Sequence, residues 1–156
     1  YKRQISIRPA DVGDAAALAG LSLELGYQAT VRDTTARLAG VMASPGRQVL
    51  VAVTEDTSVI GWVHVFTAPR VESDGFAELG GLVVSEELRG RGYGRQLLEA
   101  AEAWAGHHGF DTMRIRSRTE RGRAHGFFEK NQYRRAKTQH VYEKLFTENT
   151  RTSSRE

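Results

Sequence analysis

The chain has 156 residues, of which 26% are charged and 40% hydrophobic, with a net charge of +3 at pH 7 and no cysteine. This length fits one domain that buries a core without disulfides or a metal, and the lack of cysteine excludes a disulfide-dense secreted scaffold. No apolar run approaches the roughly 18 residues of a membrane span, and the N-terminal residues carry no signal-peptide core, so we expect a soluble, cytoplasmic protein with no membrane partner.

The N-terminal third predicts one strand followed by two helices. Residues 5–8 alternate in polarity, which is typical of a strand. An early proline and an aspartate cap, Asp11 or Asp14, then begin a helix that ends at Gly26. After a polar loop, a second helix is expected over about residues 33–42, where a Ser-Pro-Gly sequence stops it.

The middle of the chain predicts a hairpin and a central strand. Residues 48–54 and 58–66 form two expected strands joined by a short polar turn. On the second strand His64 has apolar neighbours, which is more typical of a core histidine than of a catalytic one. Its titration near neutral pH keeps it as a candidate substrate contact. Residues 79–84 are aliphatic and β-branched and predict the central strand.

The segment after the central strand combines glycine and arginine in a pattern that predicts an anion-binding turn. It consists of Arg89, Gly90, Arg91, Gly92, Tyr93, Gly94 and Arg95. A helix with apolar residues at helical spacing follows and ends at Gly109. The alternating glycines let the backbone turn sharply and leave the first amides of that helix unblocked, and the helix dipole and the arginines favour a phosphate or pyrophosphate there.

Two common phosphate-binding motifs do not fit this turn. A P-loop requires a Lys-Ser or Lys-Thr pair after its glycines, and the turn has neither. A dinucleotide-binding fold requires Gly-x-Gly-x-x-Gly after a first strand, whereas these glycines alternate and the strand lies in mid-chain. The turn is therefore expected to bind phosphate in a different structural setting.

The C-terminal part predicts a strand, a helix and two further strands. Residues 112–118 form the strand and residues 120–130 the helix, which has apolar residues at core spacing. The last two strands are expected at residues 133–138 and 139–146, and residues 147–156 form a polar tail.

Arginines alternate along the strand at residues 112–118 and raise the question of nucleic-acid binding. They are Arg114, Arg116 and Arg118. Nucleic-acid-binding surfaces usually interleave basic residues with exposed aromatic residues on one element, and these arginines are the nearest approach to that pattern in the chain. A solvated strand face is the better explanation, and we expect no nucleic-acid partner.

Two segments carry motifs of a known enzyme family. Arg89, Gly92 and Gly94 match the acyl-CoA-binding motif Arg/Gln-x-x-Gly-x-Gly/Ala. Residues 124–133, Ala-His-Gly-Phe-Phe-Glu-Lys-Asn-Gln-Tyr, are similar to a second signature, Ala-x-x-Phe-Tyr-Glu-Lys-x-Gly-Phe. Both are signatures of the GNAT N-acetyltransferase family, which the chain resembles over about residues 5–146.

The resemblance implies an α/β (α+β) fold with a single GNAT acetyltransferase domain, residues 1–146, followed by the polar tail at residues 147–156. The expected sheet is mixed but mostly antiparallel, with about six or seven strands flanked by about four helices. Two splayed central strands would receive the cofactor. The helix-loop-helix near the N-terminus would cover the side of the acceptor substrate.

The resemblance also implies an N-acetyltransferase that moves the acetyl group of acetyl-CoA to a primary amine of a small molecule or peptide by direct attack, without a metal. The pantetheine arm would lie like an added strand along Leu82, Val83 and Val84, and the diphosphate would bind the glycine-arginine turn. The candidate acceptor-binding residues are Tyr27, Gln28 and His64.

Glu78 is the candidate general base. It is the one carboxylate on the central strand and precedes Gly80 and Gly81, where a bulge could open a wet cleft. The alternative role for this glutamate is a structural ion pair. Phe128 stands where related enzymes commonly carry a tyrosine that bonds the cofactor sulfur and protonates the thiolate. Phe128 is therefore expected to line the cofactor site, and the acid is expected to be water or Tyr142.

The alternative function is a non-catalytic acyl-CoA-binding sensor or accessory module, because the missing tyrosine removes a usual catalytic group. Both functions require CoA binding, and they differ in turnover. Aminoglycosides, polyamines, amino acids and protein amines all remain open as acceptors, since acceptor pockets are built from variable loops. If the protein associates with itself, a homodimer is expected.

Overall fold

The computed structural model describes residues 4–24, 26–117 and 122–147. The chain divides into two compact units, one within residues 1–120 and the other within residues 121–156. No helix in these described ranges is long and apolar enough to cross a membrane.

In its described residues, the first unit contains a five-stranded sheet and three α-helices. The strands are β1 (Ile5–Pro9), β2 (Arg47–Thr54), β3 (Val59–Ala68), β4 (Phe76–Val84) and β5 (Met113–Ile115), and the helices are α1 (Ala15–Glu24), α2 (Val31–Ala43) and α3 (Tyr93–His107). The strands lie in chain order, with antiparallel pairing from β1 to β4 and parallel pairing of β4 with β5. The predicted mixed, mostly antiparallel sheet is confirmed.

The helical segment that leads into α1 begins at a side-chain cap. Asp11 accepts a hydrogen bond from the Gly13 N–H, and Asp14 accepts one from the Asp11 N–H, which forms a capping box. The Arg8 guanidinium also bonds Asp14 at 2.8 Å and holds the pKa of that carboxyl below its usual value. The early proline predicted to open the helix, Pro9, instead ends β1, because the capping aspartates lie beyond it.

One face of the sheet packs against α1 and α2. Its buried core consists of Ala10, Ala15, Leu18, Leu38, Val49, Val51 and Val53, with Trp62 packed against it. The strand pairs Val49–His64, Val51–Trp62, Arg47–Phe66 and Phe66–Glu78 place their side chains on this same face. We call it the α1/α2 face.

The opposite face packs against α3. Val63 and Val65 of β3 are fully buried there, as are Leu97 and Leu98 of the helix. At Gly61 a β-carbon would lie 3.0 Å from the Leu97 Cδ1 atom, so glycine lets the helix approach the sheet closely. This face is apolar and closely packed, and we expect it to have a structural role.

A β-bulge interrupts β4 at Gly80. His64 pairs with Gly81 and Val65 pairs with Leu79, which leaves Gly80 as the extra residue. The parallel pairing of β4 with β5 covers only residues 77–79 of β4. The predicted bulge at the glycine pair is confirmed, and β4 separates from β5 at that point.

β5 is shorter than the strand predicted over residues 112–118. It comprises Met113–Ile115, and residue 118 lies outside the described residues. β5 can extend only while β4 offers it a partner, and that pairing ends at Leu79, immediately before the bulge.

The second unit contains helix α4 (Gly122–Lys130), which confirms the predicted helix in its described part. The prediction of two further strands at residues 133–138 and 139–146 is wrong in this structure, because residues 133–145 have no regular secondary structure. The sheet therefore has five strands rather than six or seven. An alternating sequence shows that a segment can be a strand, but a strand also needs a neighbour for its backbone bonds.

Candidate active site

The turn after β4 leads directly into the N-terminus of α3. Gly90 and Gly92 have φ angles of 78° and 86°, in the left-handed region that favours glycine. Gly92 is the N-cap of α3 and, as a glycine, makes no side-chain bond to the first turn. The first bond of the helix joins the Gln96 N–H to the Gly92 carbonyl at 3.1 Å. The amides of the first turn thus point away from the helix, as they do where helices bind anions.

The arginines of this turn play different parts. Arg89 donates from Nε to the Val84 carbonyl at 3.2 Å and so ties the turn to the end of β4. Arg95 forms an exposed ion pair with Glu99 at 2.9 Å, and Arg91 is exposed. Tyr93, the first residue of α3, is fully buried. The turn offers backbone amides and exposed guanidinium groups to one ligand.

The last residues of β4 have one edge that β5 does not cover. The Ser85 N–H bonds the Ile60 carbonyl of β3 at 2.8 Å. Because backbone groups alternate in direction along a strand, Val83 also faces β3, whereas Leu82 and Val84 face the other edge. Pairing with β5 ends at residue 79. An extended ligand could therefore add to this edge at Leu82 and Val84.

His64 lies over the bulge on the α1/α2 face. A β-carbon at Gly80 would approach the His64 Nδ1 atom to 2.6 Å, so the ring packs directly on the glycine backbone. Burial, together with the charge of Arg47, lowers the pKa of His64. Its Nε2 atom is buried and has no hydrogen-bond partner among the described residues. The lowered pKa favours the neutral imidazole, and the ring is half-buried rather than that of a fully buried core histidine.

Trp62 repeats this arrangement next to His64 on the same face. A β-carbon at Gly81 would lie 2.8 Å from the Trp62 ring, and the Trp62 Nε1 atom is also buried without a partner in the described ranges. Sequence reasoning assigned no role to Trp62. The available signal was the glycine pair on the partner strand, Gly80 and Gly81, because a large ring needs small residues opposite it.

Glu78 lies on the α1/α2 face, two residues before the bulge. Its side chain is 14% exposed, and its Oε1 atom accepts a hydrogen bond from Arg116 Nε at 2.8 Å. The Arg116 side chain is 54% exposed. The structure thus contains both features predicted for this glutamate, the bulge beside it and an ion pair.

Two further arginines of the sheet, Arg114 and Arg47, pack on aromatic rings. The Arg114 guanidinium carbon lies 4.1 Å from the centre of the Phe76 ring, and that of Arg47 lies 4.9 Å from the centre of the Phe66 ring. Arg118 is outside the described residues. Sequence reasoning took Arg116 for part of a solvated strand face and missed its bond to Glu78, because the two residues are 38 positions apart.

The loop between α1 and α2 carries the other predicted acceptor contacts. Tyr27 and Gln28 are both exposed. Within the described ranges, no hydrogen bond or ring contact joins either residue to His64 or Glu78. The end of α1 does reach the turn after β4, since Glu24 Oε2 accepts the Glu86 N–H at 2.9 Å. Glu24 was not singled out from the sequence.

The second unit carries Phe128 and Tyr142. Phe128 makes edge contacts with Phe127 and Tyr133, at 5.4 and 6.1 Å between ring centres. Tyr142 is 91% exposed in a segment without regular secondary structure, so the prediction that it lies on a last strand is wrong. No group of three or more histidine or acidic side chains within the described ranges is placed to hold a metal ion.

The strand, turn and helix described above fall within one family pattern. The model of the acetyltransferase (GNAT) family matches residues 21–133. The chain belongs to the GNAT acetyltransferase family. No curated protein matches this GNAT chain.

Solved structures show the same GNAT fold. The aminoglycoside N-acetyltransferase AAC(6')-Iy in complex with CoA is 18% identical, with a TM-score of 0.82 over 92% of this chain and 97% of that one. AAC(6')-Ih from Acinetobacter baumannii is 16% identical, with a TM-score of 0.81 over 92% and 99% of the two chains. A GNAT family acetyltransferase from Staphylococcus aureus is 20% identical, with a TM-score of 0.73 over 90% and 98%.

Proposed function

We propose that this protein is an N-acetyltransferase that moves the acetyl group of acetyl-CoA to the primary amine of a small molecule or peptide. The observation that carries the proposal is the edge of β4 at Leu82 and Val84, which β5 does not cover and which leads into an α3 N-terminus whose N-cap is a glycine without a side-chain bond. An extended, diphosphate-bearing cofactor fits such a strand and turn. Membership of the GNAT family and the CoA complex of one structural neighbour support the same ligand.

Acetyl-CoA binds along this edge. The amide of the pantetheine arm bonds the backbone of Leu82 and Val84, as an added strand would. The diphosphate lies on the amides of residues 90–95, where the helix dipole and exposed Arg91 favour its negative charge. The Val84 carbonyl already accepts from Arg89, and its second lone pair can still accept from the cofactor. This binding directs the thioester towards the bulge.

The acceptor amine binds on the α1/α2 face beside the bulge. Two observations support this position. Trp62 and His64 each hold a buried nitrogen without a partner in the described ranges, which costs about 1–3 kcal/mol per group and is typical of functional sites. Glu78, on the same face, can take the proton of the incoming ammonium directly or through a water. Tyr27 and Gln28, on the exposed α1–α2 loop, line the entrance for the acceptor.

The reaction forms a nitrogen–carbon bond and breaks the carbon–sulfur bond. Glu78 takes one proton from the ammonium, and the uncharged amine then attacks the thioester carbonyl. CoA leaves as a thiolate, and the nitrogen releases its second proton to water. A thiol with a pKa near 8.5 can leave as a thiolate without a dedicated acid. Water or Tyr142 then protonates the sulfur, since Phe128 has no donor at the position of the usual tyrosine.

The proposal is tested with a panel of primary amines. Free thiol release from acetyl-CoA is followed for each amine and without any amine, and mass spectrometry identifies the acetylated product. We expect amine-dependent thiol release with a product 42 Da heavier, as acetylation requires. If calorimetry shows CoA binding but no amine is acetylated, the protein is a CoA-binding sensor or accessory module, which the phenylalanine at position 128 would favour.

Two variants then identify the proton donor. If water is the donor, Phe128→Tyr raises kcat and Tyr142→Phe changes nothing. If Tyr142 is the acid, Tyr142→Phe lowers kcat at constant acetyl-CoA affinity, by up to the 10²- to 10⁴-fold typical of a general acid.

A further inference from the structure

Arginine side chains dominate one end of the α1/α2 face. β2 contributes Arg47, which lies on the Phe66 ring, and β5 contributes Arg114, which lies on the Phe76 ring. Arg116, the residue after β5, is bonded to Glu78. The loop after β3 adds Arg70, with its guanidinium carbon 5.0 Å from the centre of the Phe76 ring. The register places Phe66 beside Glu78 and Glu78 beside Arg114, so these groups lie together.

The arginines of this cluster are exposed, whereas the carboxylate among them is not. Arg47, Arg70, Arg114 and Arg116 are exposed, and Glu78, the carboxylate that β4 contributes, is 14% exposed. Glu72 and Asp74 of the neighbouring loop are exposed acids that offset part of the positive charge. The exposed guanidinium groups can bind an incoming carboxylate.

The ion pair at Glu78 limits the proposed general base. While Oε1 accepts from Arg116 Nε at 2.8 Å, an incoming ammonium can use only the second lone pair of Oε1 or the Oε2 atom, beside a guanidinium that repels it. The two partners differ in accessibility, since Arg116 is 54% exposed and Glu78 is 14% exposed. An incoming carboxylate can therefore reach the guanidinium and replace Glu78 as its acceptor, because guanidinium groups bind carboxylates of either origin.

We propose that the acceptor is a small amine that also carries a carboxylate, and that Arg116 binds this carboxylate by exchanging it for Glu78. The inference rests on the proposed acetyl transfer. The substrate carboxylate takes the guanidinium and leaves Glu78 Oε1 open to the adjacent ammonium. Glu78 then accepts one proton from that ammonium, and the uncharged amine nitrogen bonds the acetyl carbon. The thiolate leaves with the electron pair of the carbon–sulfur bond, and the nitrogen gives its second proton to water or to the thiolate. The correct substrate thus activates its own base.

The test compares matched amines that differ only in charge. The twenty standard amino acids are assayed with acetyl-CoA as free acids and as their C-terminal amides, and kanamycin serves as a polycationic amine. Rates are compared per concentration of uncharged amine, because the amide form lowers the pKa of the amine. For the best amino acid we expect kcat/KM to exceed that of its amide by at least about tenfold, the range of one charge-assisted hydrogen bond, and to exceed that of kanamycin.

Arg116→Gln separates substrate recognition from a structural role. We expect it to lower kcat/KM for the free acid about 10- to 100-fold and not to lower that for the amide, because the variant also frees Glu78. Arg116→Lys should restore part of the preference, since lysine keeps the charge but loses the planar fork. Arg37→Gln, which removes an exposed positive charge from α2, should change kcat/KM for neither substrate.

The outcomes distinguish this inference from the proposed function. If amides or kanamycin are acetylated as well as or better than free acids, acetyl transfer stands and the carboxylate-bearing acceptor is wrong. If Arg116→Gln lowers kcat/KM equally for the free acid and for the amide, the ion pair is structural and the proposed exchange is wrong. If no amine of either series is acetylated by a protein that binds CoA, the proposed function fails and this inference fails with it.

Discussion

The two ends of β4 are built in different ways. At the C-terminal end, Leu82 and Val84 face an edge that β5 does not cover, and the strand continues into a turn whose shape depends on glycines with positive φ at positions 90 and 92. At the N-terminal end, Glu78 is held by a side-chain bond to Arg116, and His64 packs on the bulge. The first end offers backbone groups and the second offers side chains.

This difference fits the two ligands of the proposed reaction. In that proposal, backbone groups bind the diphosphate and the pantetheine arm, which are the same in every acyl-CoA. Side chains that can be exchanged one by one bind the acceptor. We therefore expect variants at the two ends to affect different steps of the reaction.

The largest effect is expected at the side-chain end. Glu78→Gln removes the proposed base and should lower kcat about 10²- to 10⁴-fold, most strongly at low pH, where less of the amine is already uncharged. The KM for acetyl-CoA should remain nearly constant, as measured by steady-state kinetics across pH. Glu55→Gln, in the exposed β2–β3 turn, is the control. Wild-type rates at every pH would remove Glu78 from the mechanism.

At the backbone end, Gly92→Val should act on cofactor affinity. Valine is strained at a φ of 86°, and its side chain blocks the approach of the diphosphate. The loss of two charge-assisted bonds corresponds to about 100-fold or more in Kd, measured by calorimetry with CoA. Gly106→Ala, where a β-carbon meets nothing within 4 Å, should bind CoA as the wild type does. Equal affinities in the two variants would exclude the turn as the diphosphate site.

Gly80→Ala tests whether the bulge belongs to the acceptor side. The added β-carbon would lie 2.6 Å from the His64 Nδ1 atom, so the ring must move away from the thioester position. We expect about a tenfold loss in kcat/KM for the amine, the order of a misplaced contact, and a smaller change in CoA affinity. Gly20→Ala in α1, with open space around it, is the matched control. A loss of CoA affinity alone would assign the bulge to the cofactor end.

The smallest effect concerns the neutral state of His64. Its pKa in the folded protein is lowered by burial and by Arg47, so the unfolded chain binds a proton first as the pH falls below about 6.5. The stability that depends on neutral His64 is present above that pH and is lost as the pH falls further. In thermal unfolding between pH 7.5 and 5, His64→Gln should lose less stability than the wild type. His107→Gln, on the exposed end of α3, should follow the wild-type curve.

The sequence predicted most of the backbone architecture. The first four strands, the helices and the glycine-arginine turn all follow from local patterns, because each depends on residues close together in the chain. The turn was the clearest case, since Gly92 occupies a conformation that few other residues adopt. The bulge at Gly80 could also be predicted, from adjacent glycines in a strand.

The features that could not be predicted depend on contacts between distant residues. The bond from Arg116 to Glu78 joins residues 38 positions apart. The alternating pattern over residues 112–118 gave no sign that Arg116 has this partner. The buried nitrogens of Trp62 and His64 are visible only when the packing around them is known. The prediction of the last two strands was wrong for the same reason, because a local pattern does not encode the pairing partner of a strand.

Amide hydrogen exchange of the wild-type protein, with and without acetyl-CoA, tests the division of β4 most directly. Amides that bind a ligand exchange more slowly. The account predicts slower exchange at residues 82–84 and 90–95 when acetyl-CoA alone is added, with a smaller change at residues 60–66 and 76–78 until an acceptor amine is present. Protection confined to the acceptor end, or none at residues 90–95 in saturating acetyl-CoA, would contradict it.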